Sequence, residues 1–196
     1  RGLDRAEREA QAVVLAGREG RFSAGFDLKV MMSGPDAVKP LLKKGADLFM
    51  RLFGFGQPVV IAATGHALAG GALLALTGDM RLVAEGPFKI GLNEVSIGMP
   101  VPVLAMELAR ARLQPTELTK ATLLGTIYPP DESVRVGYFD RLVAGEALLR
   151  EAQAEARRLA EISKFALAAT KKRLRGATIE LIQSSFERDV AELTPR

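Results

Sequence analysis

Two features of this chain could do chemistry. Gly70 and Gly71 stand between the apolar run Pro58–Ala63, continued by the small residues from Thr64 to Ala69, and Ala72-Leu-Leu-Ala-Leu76, a run of good helix formers. A strand that passes through small residues into a helix leaves the first N–H groups of that helix without partners, at its positive end. Two glycines let a ligand approach them, so a carbonyl oxygen that gains negative charge in a reaction would be held well there. Tight packing alone also uses such junctions. The second feature is Glu94, a carboxylate flanked by apolar and small residues in Gly91-Leu-Asn-Glu-Val95. On the surface it needs no explanation. In an apolar pocket its pKa would climb toward neutrality and it could serve as a base.

Parallel strands joined through helices must position these residues. Leu3–Gln11 reads as the charged end of a helix and Ala12–Ala16 as a buried strand. Gly17–Phe26 is a glycine-rich loop, after which Asp27 caps a short helix at Leu28–Met32. Ala37–Phe53 carries apolar residues at helical spacing and leads into the strand Pro58–Ala63. Strand–loop–helix–strand implies parallel pairing with a right-handed crossover. Met80–Ala84 and Phe88–Leu92 read as further strands, Val101–Arg112 and Pro115–Leu124 as helices. Asp131 is placed to cap a helix running to Arg135, and Gly137–Val143 is a turn into a strand. Three helices follow: Glu146–Ile162, Phe165–Arg175 and Thr178–Leu193.

Composition narrows the classes. At 196 residues the chain can bury one sizeable core. It has no cysteine, so disulfides and thiolate chemistry are excluded, and the reading is a reducing, cytoplasmic setting. One histidine, His66, leaves little for a multi-histidine metal site or a Ser-His triad, and its expected role is a structural hydrogen bond. No apolar run reaches the roughly 18 residues that span a membrane. The net charge of +4 is mild and dispersed, and two tyrosines without tryptophan offer no stacking platform, which argues against nucleic acid. Residues 171–175 gather four positive charges, either a solvated helix face or a phosphate contact. Asp79 is expected to cap or pair at the end of the central helix.

Taken together, these pieces resemble the crotonase superfamily, the enoyl-CoA hydratase/isomerase family. Phe22-Ser-Ala-Gly-Phe-Asp-Leu28 is similar to its first oxyanion loop, Ala67-Leu-Ala-Gly-Gly-Ala72 to its second, and Gly91–Val95 to the segment bearing its catalytic glutamate. The three motifs occur in the family's order and at its spacing. The resemblance implies an α/β fold: a ClpP-like ββα spiral core (1–143), with its first turns lying ahead of Arg1, and a C-terminal helical trimerisation region (144–196). It implies a homotrimer or dimer of trimers, an acyl-CoA thioester substrate, and no cofactor or metal beyond the coenzyme A of the substrate. By position, the backbone N–H groups of Phe26 and Gly70 are the oxyanion donors and Glu94 is the catalytic acid–base. Ala24, whose carbonyl would lie near the adenine amino group, joins Phe22, Asp27 and Leu73 in lining the substrate.

One departure is informative. The family's two-glutamate hydratases carry their first acid just after the Gly-Gly turn, where this chain has Leu73. Activating water and delivering a proton is work for two carboxylates. Glu94 alone is closer to the family's Δ3,Δ2-enoyl-CoA isomerases, which move a double bond with one. Hydratase activity and non-catalytic acyl-CoA binding are the alternatives.

Overall fold

Among residues 1–192, which the computed structural model describes, seven strands form two parallel sheets. The chain runs α1 (Gly2–Glu9), β1 (Val13–Ala16), β2 (Gly20–Ser23), α2 (Leu28–Met31), α3 (Pro35–Phe53), β3 (Val59–Ala63), β4 (Gly65–Leu68) and α4 (Gly70–Leu76). It continues with β5 (Met80–Ala84), β6 (Ile90–Gly91), α5 (Val103–Arg112), α6 (Pro130–Val136), β7 (Arg141–Val143), α7 (Leu148–Ala160) and α8 (Lys164–Glu192). One sheet has the order β1-β3-β5-β7 and the other β2-β4-β6. Each turn of the chain therefore gives one strand to each sheet before helices carry it back. This is the expected α/β spiral of ββα turns followed by a C-terminal helix.

The first sheet is covered on both faces, which explains why β3 reads Val-Val-Ile-Ala-Ala with every residue buried. Val59, Ile61 and Ala63 join the large core shared with α3, α4 and α5. Val60 and Ala62 face the other way, onto Leu148, Ala152 and Ala156, which α7 presents at four-residue spacing.

Several local expectations are corrected. Gly20–Ser23 and Gly65–Leu68 are strands, not loop and passage. They contain glycine and are only four residues long, so no periodicity marks them. Parallel pairing in register Gly20↔Gly65 and Arg21↔His66 makes them strands. Pro115–Leu124 is not one α-helix but a 3₁₀ turn, Pro115–Glu117, followed by a π-helical turn, Thr119–Leu123. There the Thr122 hydroxyl donates to the Leu118 carbonyl at 2.7 Å, competing with the backbone ladder. Helix α6 starts at Pro130, whose ring suits a first helical position, so Asp131 sits in the first turn and is not the cap.

Helix α8 is a single helix where two were expected; the expected end at Leu193 lies outside the described residues, as do 194–196 of the expected C-terminal region. Gly176 costs about 1 kcal/mol against alanine in a helix, but buried side chains anchor both sides of it: Lys171 and Arg175 before, Ile182 and Ser185 after. A Cβ added at Gly176 would meet nothing within 4 Å. Gly176→Ala should therefore raise stability by about 0.5–1 kcal/mol, read as a higher urea midpoint at unchanged slope.

The cations of α8 are also corrected. Of the four cations in 171–175, Lys171 and Arg175, one turn apart, are buried, and Lys172 and Arg173 face outward. Lys171 Nζ donates to Asp79 Oδ2 at 2.6 Å and to the carbonyls of Phe55 and Gln57 at 2.8 and 3.0 Å. Arg175 donates to the Phe53 carbonyl at 2.7 Å, pairs with Asp79 Oδ1 at 2.9 Å and lies over the Phe53 ring. Arg112 donates to the carbonyls of Leu76 and Gly78. These side chains neutralise the negative C-terminal ends of α3 and α4, which is how several cations are buried around one carboxylate. Asp79 pairs as expected. His66 also takes its expected structural role, its Nδ1 accepting the Lys89 N–H at 2.9 Å with the ring edge-on to Phe88.

Candidate active site

Two loops meet backbone to backbone where the second sheet ends. The first leaves β2 through Ala24, Gly25 and Phe26. The Asp27 carboxylate then accepts the Lys29 N–H at 2.8 Å and starts α2, as expected. The second leaves β4 through Ala69, which holds φ 49° and ψ −123°, a conformation that L side chains adopt at a cost of about 1–3 kcal/mol. Gly25, at φ 98°, lies against Gly70: a Cβ on either would come within 3.1–3.2 Å of the other's backbone. A Cβ on Gly71 would lie 2.0 Å from the Ser23 carbonyl oxygen. Only glycine allows this approach.

The approach sets the Gly70 N–H against Gly25, one residue before the Phe26 N–H. Among the described residues neither donates a hydrogen bond: Gly70 opens α4, and Phe26 lies between strand and helix. The Phe26 ring anchors its loop by packing on Gly45 of α3 and tilting against Phe49, with ring centroids 6.2 Å apart. Gly71→Ala should push the loops apart and separate the two donors. Loss of a comparable donor costs ~10²–10³ in rate, so kcat should fall in that range while the variant still folds cooperatively in a thermal melt.

Glu94 reaches the same region through β6. The Ala69 N–H donates to the Gly91 carbonyl at 3.0 Å, which lays β6 along the start of α4 three residues before Glu94. Glu94 opens a 3₁₀ turn, its carbonyl accepting the N–H groups of Ile97 and Met99 at 3.1 and 2.9 Å. The residue is only 7% exposed, and among the described residues its Oε2 has no hydrogen-bond donor. Burial raises its pKa above the ordinary carboxylate value. Of the two readings open to this carboxylate, the buried one holds. The adjacent Asn93 Oδ1 is likewise buried and unpartnered.

Leu73 is buried one turn into α4, its N–H on the Ala69 carbonyl at 3.0 Å. Phe22 is half-buried against the core, while Ala24 and Asp27 are exposed. Two unused N–H donors and one unpaired buried carboxylate can hold a developing oxyanion and move a proton. Sequence reasoning missed a groove of about 860 Å³ between α2, α3, the turn after Glu94 and the end of α8. The signal was present in the adjacent methionines Met31 and Met32 and in Ile97, apolar residues with no helical face to fill.

Residues 2–193 match the family model described as enoyl-CoA hydratase/isomerase. The human protein named enoyl-CoA delta isomerase 1, mitochondrial, is 31% identical over 180 residues, covering 91% of this chain and 60% of that protein. A probable enoyl-CoA hydratase of Rhizobium meliloti is 32% identical over 160 residues, covering 81% of this chain and 61% of that protein. The chain thus spans about 60% of the length of these curated relatives. A crystal structure of an enoyl-CoA hydratase/isomerase family protein from Pseudomonas syringae superposes with a TM-score of 0.95 at 35% identity, over 98% of this chain and 84% of that one. A family model that spans nearly every residue, and a fold shared almost end to end, agree with the two apposed loops and the buried glutamate: the chain belongs to the enoyl-CoA hydratase/isomerase family.

Proposed function

We propose that this protein shifts a double bond in an acyl-CoA thioester, converting 3-enoyl-CoA to 2-enoyl-CoA. The observation that carries the reading is a single buried, unpaired carboxylate, Glu94, with buried Leu73 at the position where the family's two-carboxylate hydratases place their first acid. The thioester oxygen accepts the N–H groups of Phe26 and Gly70, which makes the C2 proton acidic. Glu94 removes that proton, and the electron pair moves into a dienolate whose oxygen the two donors hold. Glu94 then returns the proton at C4, leaving the conjugated product. The step is redox-neutral and the scheme uses no metal or cofactor. Leu73 keeps water from the dienolate and so disfavours hydration. Phe22 on β2, and Ala24 and Asp27 after it, flank the thioester and the coenzyme A. Hydration of 2-enoyl-CoA is the second reading, favoured by the hydratase name of the Rhizobium relative.

A homotrimer or dimer of trimers in the cytoplasm completes the proposal. Exposed Leu123 and Leu124 beside the π-helical turn, and Phe165 and Leu174 on α8, are large apolar side chains that such an assembly would cover. Among the described residues no helix is long and apolar enough to cross a membrane.

Isotope tracing tests the proton path. With 3-enoyl-CoA deuterated at C2, a single turnover in ordinary water should deliver deuterium to C4 of the product. Hydrogen drawn only from solvent at C4 would remove Glu94 as the one shuttle.

A further inference from the structure

We infer that Tyr138 is a positioning residue for Glu94: its buried hydroxyl donates to the Glu94 carboxylate through a shared water, and the Tyr128 ring holds it in place. The inference rests on the role of Glu94 proposed above; the placement of the tyrosines is argued from its own geometry.

Seven buried side-chain oxygens and nitrogens lack a hydrogen-bond partner among the described residues, and five of them belong to Asn93, Glu94, Glu117, Tyr128 and Tyr138. Such atoms are few in a folded protein and each costs free energy when left alone, so their concentration calls for a cause. The chain has only two tyrosines, and both are here, 3% and 0% exposed. A phenylalanine would fill either place with no polar atom to satisfy.

Strand β6 gathers the two phenols behind Glu94. Tyr128 bridges Ile90 of that strand, the pair exchanging backbone hydrogen bonds at 2.9 and 2.8 Å. The Tyr128 and Tyr138 rings tilt against each other with centroids 6.0 Å apart. The N–H of Leu92, two residues before Glu94, points at the Tyr138 oxygen, and the Glu94 carboxylate lies near enough to act on the phenol.

The chemistry of the five atoms is complementary. Asn93 Oδ1 and the ionised carboxylates of Glu94 and Glu117 only accept, whereas the two phenols can donate. Burial, joined by the charges of Tyr128 and Glu94, pushes the Tyr138 phenol above its ordinary range, so it stays a donor. No direct hydrogen bond joins it to Glu94, and one buried water with these polar partners completes the link. The charged groups acting on Tyr128 are Glu117, Arg135 and Glu132, the last two exposed. At Glu94 itself no charged neighbour competes with burial as the cause of its raised pKa. The Tyr138 donor therefore offsets part of the cost of ionising Glu94 and fixes the direction of its carboxylate.

Tyr138→Phe keeps the ring and removes the hydroxyl. With 3-enoyl-CoA, the acid limb of the kcat–pH profile should move up by about one pH unit, because the charged form of Glu94 loses a donor. Below that limb kcat should fall about tenfold, while KM stays unchanged. A second readout needs no turnover. In urea at pH 9, Tyr138→Phe should lower the folding equilibrium constant about fivefold more in the wild-type background than in Glu94→Gln, where no charge is held. An acid limb that does not move would overturn the inference, whatever the variant does to stability. Full activity of Glu94→Gln would overturn the reaction instead. The urea cycle would then decide the hydroxyl's placement by itself: coupled losses would uphold it and additive losses would overturn it.

Discussion

Replacing Glu94 by Gln is expected to lower kcat for 3-enoyl-CoA by about 10²–10⁴, the range that a positioned acid–base contributes. Acyl-CoA binding should persist, because the two N–H donors are unchanged. The same substitution should raise the melting temperature at pH 7. Burial lifts the folded-state pKa of Glu94 above its unfolded value. Between those two values the folded state binds more protons than the unfolded one, so stability falls as pH rises through that window. Above it, the wild-type protein carries an unpaired buried charge that glutamine removes. Activity has the opposite sign. The base acts only when deprotonated, so kcat of the wild-type enzyme should rise with pH through an apparent pKa above the usual carboxylate range. A variant that is inactive and also less stable at pH 7 would mean that Glu94 holds the turn together and does not strain it.

Asp79→Ala should produce the largest loss of stability, about 3–5 kcal/mol, because it leaves the buried ammonium of Lys171 and guanidinium of Arg175 without their shared counter-ion. It also removes the acceptor of the Val59 N–H at 2.8 Å, at the first residue of the central strand. Asp79→Asn keeps an oxygen that can take the Val59 N–H and should lose less. Urea denaturation of the three proteins, compared at constant slope, reads both differences. Since α8 docks through this cluster, the loss should appear as earlier unfolding of the whole chain and not of α8 alone.

The sequence carried the site further than it carried the path of the backbone. Asp27 as cap, Asp79 capping or pairing at the helix end and His66 in a structural hydrogen bond follow from local chemistry, and the structure bears them out, with Asp79 pairing and His66 accepting. The Gly-Gly junction was legible as a possible anion site because free N–H groups belong to any helix start. What made it specific, the contact of Gly25 with Gly70, joins residues far apart in the chain. Strands β2 and β4 were not legible for the same reason: four residues with glycine show no alternation, and only their mutual pairing defines them. Lys171 and Arg175 read as a charge cluster because nothing in the run Lys-Lys-Arg-Leu-Arg tells which face of the helix turns inward. Gly176 read as a break because the side chains that hold α8 on either side of it act at a distance. The groove was hidden because it is assembled from four separate segments.

The central claim is that one carboxylate beside two N–H donors moves a double bond and does not add water. The most direct measurement supplies the protein with 3-enoyl-CoA and 2-enoyl-CoA separately and compares initial rates of isomerisation and hydration. Rapid conversion of the first, with little 3-hydroxyacyl-CoA from the second, is the predicted result. Hydration as fast as isomerisation would contradict it, and would require a second acid that Leu73 does not provide.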